Sequence, residues 1–330
     1  MSSTKARARS QAGAGKTSNT RLEDNANLEG VGSIGENYGT IIVNRGPPNE
    51  TQSQQPLAHS VALKYRADRD EQERLIRQHL TNHRASRRPI VFFIHGEESQ
   101  HVDGFVQRLG LEMIRRHLRA INGTDQVEWK NVSWPRGGGR TAEDAERIAV
   151  YKDSLTGELE IMNGSAAAIA ERIALYRRPV VLSSVHRQVV DEDDEPTVRA
   201  VLDMWASLPD LRTELSLIII VAMIYADLGR GFMSRFLSRP KTSTLALKLA
   251  KFDGYRPNQL KAVVLPELSD VSLEEVEHWV RNVLRPPDIE DALRRVREVF
   301  GAKRAPLPMV ALEKHLEALA PTDRPRLRLQ

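Results

Sequence analysis

The sequence predicts an α/β protein built on a doubly wound, mainly parallel sheet, and three observations carry that prediction. Runs dominated by Val, Ile, Leu and Phe recur at 90–94, 180–183, 217–223 and 262–265. Runs that are apolar at successive positions, rather than at every second one, belong to strands buried on both faces. Between them lie segments with apolar residues at helical spacing, so strands and helices alternate as parallel crossovers require. The 330 residues, 40% of them hydrophobic, suffice for one large domain or two small ones with tails.

Taken in order, residues 1–57 are dominated by Ser, Gly, Asn, Gln, Thr and Pro and are expected to be a disordered, low-complexity tail. Within it, Thr40, Ile41, Ile42 and Val43 follow a Gly/Asn-rich turn and read as a lone strand near 39–43. Such a strand is suited to pairing with a sheet edge, its own or a partner's. Residues 58–86 read as a charged helical connector with Leu63, Leu75, Ile76 and Leu80 as a narrow apolar stripe. An α/β domain is expected at 87–270. It opens with a strand at 89–94 and a helix at about 103–119, whose apolar face is Phe105, Leu109, Leu111, Ile114 and Leu118. A short strand near 126–134 and helices over roughly 141–153 and 164–176 come next. A strand at 179–184, a helix at 196–207, a strand at 215–224, a helix at 242–252 and a strand at 261–265 complete it. Residues 271–330 are expected to be a small helical portion. Ser272, with Glu275 three residues on, forms a capping box at its start.

The stretch Arg88–Leu111 has the layout of a phosphate-binding P-loop without its chemistry. The strand Ile90–Ile94 runs into His95-Gly96, and a helix follows, the order in which backbone N–H groups cradle phosphate. The working pattern is G-x-x-x-x-G-K-[ST], in which Lys neutralises phosphate and Ser/Thr holds Mg²⁺. Starting it at Gly96 places His101 at the second Gly, Val102 at the Lys and Asp103 at the Ser/Thr. Glu97, Glu98 and Asp103 would moreover repel a triphosphate. The strand Val180–Val185 that should end in a Mg²⁺-binding carboxylate runs into Ser183-Ser184-Val185-His186. Nucleotide hydrolysis is therefore expected to be lost, with no catalytic residue, no cofactor and no metal. Gly15-Lys16-Thr17 imitates the end of such a loop, but Ser10 stands where its first Gly belongs and no strand precedes it.

Other chemistries are weaker. His95, His101 and His186, with Glu97 and Asp103, could converge at the sheet's C-terminal edge as a metal site, although a six-residue His spacing fits neither a helix nor a strand. The acidic run Asp191–Glu195 reads as solvated surface. A hydrolase would need a G-x-S-x-G elbow, which neither Gly32-Ser33 nor Gly164-Ser165 completes. The absence of Cys excludes disulfides, thiolate metal sites and a cysteine nucleophile. The longest apolar run, Leu217–Ala226, is too short to span a bilayer, and the N-terminus lacks the apolar core of a signal peptide, so a cytoplasmic protein is expected. Lys and Arg total 48 against 44 Asp and Glu, a net +4. The short basic tails at Lys5, Arg7 and Arg9 and at Arg324, Arg326 and Arg328 allow only weak, salt-sensitive nucleic-acid binding.

The ordered combination IVFFIHGEESQHVDGFVQRL (90–109), VSWP (132–135), VLDMWASLPDL (201–211), LSLIIIVAMIY (215–225) and LPELSDVSLEEVEHWV (265–280) resembles the inactive STAND family. Those are degenerate relatives of the signal-transduction ATPases with numerous domains. The resemblance covers about residues 86–320. It implies a non-enzymatic adaptor or scaffold in a prokaryotic multi-component conflict system. Its partners would be proteins encoded nearby, such as an effector, a peptidase or an active NTPase, or further copies of itself. Family members often carry a folded effector or adaptor domain, and none is recognisable at this N-terminus. Thr40–Val43 are therefore the candidate partner-binding residues, and Gly96, Glu97, Glu98, His101, Val102 and Asp103 mark the degenerate loop.

Overall fold

Five strands pair into one sheet in the order β2-β3-β4-β1-β5, and every pairing is parallel. They are β1 (Ile90–Glu97), β2 (Glu128–Asn131), β3 (Val180–Arg187), β4 (Leu217–Tyr225) and β5 (Lys261–Val264). This computed structural model describes residues 69–123, 126–135, 144–187, 195–225, 244–284, 286 and 288–319. All of them fall in one unit, Ile41–Gln330. Among the described residues no helix is long and apolar enough to cross a membrane.

The central strands explain the sequence pattern. All nine residues of β4 are buried, as are seven of the eight in β1. The register sets Ile90 beside Ile218 on one side and Lys261 on the other. β3 pairs with β4 from Val180–Leu217 to Arg187–Ile224 and so runs three residues past the expected end at 184. It does so because β4 itself continues to Tyr225 and offers partners that far. β2, expected near 126–134, pairs only over Glu128–Asn131, half-buried at the sheet edge.

The direction of each crossover decides which face its helix covers, because such connections are right-handed. From β1 the chain crosses to β2 at one edge through α2 (Val102–Arg108), a π-helical turn (Leu109–Met113) and α3 (Ile114–Asn122). These pack with α1 (Asp70–His83) on Ile90, Phe92, Ile94, Ile218 and Ile220. Every later crossover runs the opposite way. α4 (Asp144–Leu159), α5 (Ala166–Leu175), α6 (Glu195–Ala206) and α7 (Thr244–Ala250) accordingly lie on the other face, over Val91, Phe93, Leu182, Ile219 and Val221. Phe105, Leu109, Ile114 and Leu118 are buried as their spacing predicts, whereas the Leu111 side chain lies outside the described residues.

A third core is formed by α8 (Leu273–Trp279), a π-helical turn (Val280–Leu284), α9 (Ile289–Phe300) and α10 (Met309–Leu319), around Trp279, Leu293, Met309 and Leu312. The expected capping box opens α8: Ser272 Oγ accepts from Glu275 N, and Glu275 Oε2 accepts from Ser272 N. Asp288 caps α9 the same way through Asp291 N. Of the connector, Asp70–His83 is helical with Ile76 and Leu80 buried; Leu63 lies outside the described residues, as does the strand expected at 39–43.

Gly110, in the π-helical turn between α2 and α3, is where that helix approaches β2. A Cβ there would stand 2.8 Å from the Trp129 ring. Alanine is the better helix former by about 1 kcal/mol, but overpacking against an aromatic ring costs about 1–3 kcal/mol. Gly110→Ala is expected to be net destabilising, lowering the urea midpoint with an unchanged m-value; a raised midpoint would show the ring is free to move.

Candidate functional site

The loop after β1 joins the strand to a helix through a short 3-10 turn, and side chains fill its interior. Glu98–Gln100 form a turn of 3-10 helix, and His101 follows at φ 50°, ψ 52° before α2 begins at Val102. That left-handed residue sits where the second glycine of the working pattern would be. A non-glycine there costs about 1–2 kcal/mol, and His tolerates the region better than most residues. Val102 is fully buried: its Cγ2 lies 3.3 Å from where a Cβ on Gly96 would be, and the Leu268 Cβ lies 3.0 Å away. A long cationic side chain aimed at phosphate is thus replaced by a methyl packed into the turn. The N–H groups are also engaged locally: His101 N donates to Glu98 O, and Gly104 N donates to Asp103 Oδ1.

The charges on the two sides of this cleft are exchanged relative to a nucleotide site. A working site puts its cation in the loop and its carboxylate at a strand end. Here the described end of β3 is Val185-His186-Arg187. The Arg187 guanidinium contacts Glu98 and lies 3.6 Å from Asp103, both in or just after the loop. Of the acidic run, residues 191–194 lie outside the described residues, and Glu195 opens α6, paired with Lys251 at 2.9 Å and Arg199 at 3.3 Å.

Residues 265–271 close the cleft from the β5 side. Leu268 N donates to His95 O and pairs beside Gly96, while the Tyr225 hydroxyl at the end of β4 bonds Glu267. Arg69, 1% exposed, donates to Gln100 O at 3.1 Å and Ser269 O at 3.4 Å, and Gln100 Nε2 reaches Asp270 at 2.7 Å. His101 Nε2 lies 3.2 Å from Glu313 of α10, joining the loop to the C-terminal helices. Every residue of the degenerate loop named from the sequence is therefore gathered at one place, at the C-terminal edge where ligands of open α/β sheets bind. Arg69, Arg187, Glu267 and Glu313 complete the arrangement and were not among the expected residues. None of the four was marked by local pattern; Arg187 lies three residues beyond the expected strand end.

The three histidines do not converge on a cation. His95 Nε2 donates to Leu265 O at 3.0 Å, His101 faces Glu313, and the His186 ring packs against Trp134 at 5.8 Å between centroids. Among the described residues no three His, Asp or Glu are grouped to hold a metal. Burial holds the His95 pKa below its ordinary value, against the opposing pull of Glu267.

The family model described as inactive STAND matches residues 64–224. That segment belongs to the inactive STAND family. No curated protein matches the chain. Solved structures are similar at low identity. The Aeropyrum pernix ORC2 protein (ADPNP–ADP complexes) is 8% identical with a TM-score of 0.38, over 84% of this chain and 64% of that one. Drosophila ORC bound to DNA is 13% identical with a TM-score of 0.36, over 87% and 64%. Saccharomyces cerevisiae RIF2 is 11% identical with a TM-score of 0.32, over 75% of each. The chain thus spans less than two thirds of the first two, and at these values none of the likenesses bears on what it binds.

The inactive STAND fold carries a pH dependence of its own. His79, His83, His95 and His117 all have pKa values lowered chiefly by burial. A histidine with a folded pKa below its unfolded value binds more protons when unfolded, so stability rises with pH through that window. Each group contributes at most about 1.4 kcal/mol per pH unit. The melting temperature is expected to fall as pH drops from 7 through the ordinary histidine range; a flat profile there would contradict neutral burial of His95.

Proposed function

We propose that this chain is a non-enzymatic adaptor or scaffold of a prokaryotic multi-component conflict system, with its former nucleotide cleft serving as an internal joint. The observation that supports this most directly is the exchanged charge. Arg187 stands at the strand end where Mg²⁺ needs a carboxylate, and Glu98, Val102 and Asp103 stand where phosphate needs Lys and a hydroxyl. A triphosphate entering this cleft would meet two carboxylates, find no cation in the loop, and have to displace Leu268 and Val102. A charge-assisted phosphate contact is not easily replaced once it is gone. The adaptor role follows from keeping a large buried core and an internally satisfied loop after the chemistry has gone. Protein partners, encoded nearby or as further copies of the chain, are the ligands that remain.

Recruitment is assigned to Thr40–Val43, whose β-branched run can pair with a partner's sheet edge. The domain division places the recruiting segment in 1–57, the connector in 58–86, the degenerate domain in 87–270 and the helical portion in 271–330.

Two measurements test this reading. Calorimetry with Mg-ATP should show no micromolar binding, and hydrolysis should equal a protein-free blank; tight binding or turnover would refute loss of the nucleotide site. Deleting residues 1–56, or making Ile42→Pro, should abolish capture of a partner encoded nearby while leaving the melting temperature nearly unchanged. Capture that survives both changes would move the contact to the α/β domain around Glu97–Asp103.

A further inference from the structure

The net charge of +4 conceals a local concentration. Three exposed arginines lie on or just after α1 (Arg74, Arg77 and Arg84) and three on α3 (Arg115, Arg116 and Arg119). The two helices are neighbours: Thr81 Oγ1 lies 3.1 Å from His117 Nε2, and Arg77 is close enough to lower the His117 pKa, after burial itself. The acids in reach are few. Asp70 and Glu71 sit at the far N-terminal turn of α1, Glu73 is buried against Arg108 and also lies 3.9 Å from Arg77, Glu112 engages Arg116, and Asp253 faces His79 beside Lys261. None of the six arginines takes part in closing the cleft.

We infer that this α1–α3 face binds the phosphate backbone of duplex nucleic acid without reading its sequence. Three features of the face select that occupant. The cations are arginines, whose planar fork matches phosphate bidentately. The exposed large apolar residues of the described chain all lie outside α1 and α3. The face therefore lacks the buried aromatic or apolar anchor that centres a protein interface and the apolar side that enters a bilayer. It also presents no Phe, Tyr or Trp on which unpaired bases could stack. A helix of 14 residues is about 21 Å long, and duplex DNA offers one charge per ~1.7 Å of axis. The arginines on or just after α1, from Arg74 to Arg84, span about 15 Å, enough to meet several phosphates at once.

The test uses the full chain and a labelled duplex of random sequence, about 20 base pairs or two turns long, titrated by anisotropy at several salt concentrations. The wild type should bind at low salt, with the affinity falling linearly on a logarithmic salt scale. The variant Arg77→Ala/Arg115→Ala/Arg116→Ala/Arg119→Ala should bind at least about tenfold more weakly, its slope shallower by about one for each phosphate no longer neutralised. The corresponding Arg→Lys variant should keep most of the slope and serves where the alanine variant fails to fold. Arg294→Ala/Arg295→Ala, on α9, should bind as the wild type does. An unchanged affinity and slope in the alanine variant would assign binding to the terminal basic tails and overturn the proposal. So would no duplex binding at low salt, or binding of polyglutamate in its place.

Discussion

The parallel register that seats β1 between β4 and β5 is the constraint on which the rest depends. It buries β1 on both faces, so apolar side chains dominate the strand and polar chemistry is confined to its end. It also delivers Gly96, the ends of β3 and β4, and residues 265–271 to one edge. Stability and chemistry are thereby separated in space. Ile90–Ile94 and Leu217–Tyr225 hold the sheet together whatever stands at the exposed positions 98, 103 or 187. A fold of this kind keeps its shape after losing its ligand, because the buried runs were never part of the ligand site.

What keeps the cleft closed is decided by burial rather than by the number of ion pairs. Arg187 and Glu98 are substantially exposed, and exposed pairs are worth about 0–1 kcal/mol. They place a cation at the strand end and carboxylates at the loop, the reverse of the order a nucleotide site needs. The pair Glu73–Arg108 is different, with side chains 7% and 4% exposed. Removing one partner of such a pair leaves a buried charge and costs about 3–5 kcal/mol. It fixes α1 to α2, and Arg69, one residue before α1, then reaches Gln100 in the loop. Leu268 and Val102 remove the remaining space. The closure is thus a packed and hydrogen-bonded assembly to which the surface charges add little strength.

The sheet, the alternation and most element positions were legible in the sequence because each rests on local pattern: continuous β-branched runs, helical spacing, and the Ser272–Glu275 box. The strand-to-helix turn at Gly96 to Asp103 was legible too, because a strand ending in His-Gly ahead of a helical pattern marks it. The misjudged boundaries have physical causes. β3 continues to Arg187 through pairing with β4, and no property of residues 184–187 alone announces that. β2 shortens to four residues because an edge strand is held from one side only. The partners of the loop were not legible at all. Arg69 meets Gln100 across 31 positions, and Gln100 meets Asp270 across 170, distances at which sequence carries no periodic signal. The helix after β1 looked uninterrupted, yet a π-helical turn at Leu109–Met113 breaks it, and Gly110 within that turn lies against Trp129 of β2, a contact visible only once β2 is placed.

The arrangement of His101 connects these points. Its left-handed backbone is a cost inherited from the loop geometry, and its side chain faces Glu313 in the C-terminal helices. Where a phosphate loop holds a ligand that comes and goes, the state of the loop varies with occupancy. Here the same position is tied to α10 by residues of the chain itself, so the joint between the sheet and the C-terminal core does not wait on a nucleotide. A signal that moves the C-terminal helices must then supply enough differential binding energy to compete with those internal contacts. Only an agent that binds one arrangement better than the other can do so. In the proposed adaptor that agent is a macromolecular partner, whose large contact area suits it to the task better than a small ligand entering a filled cleft.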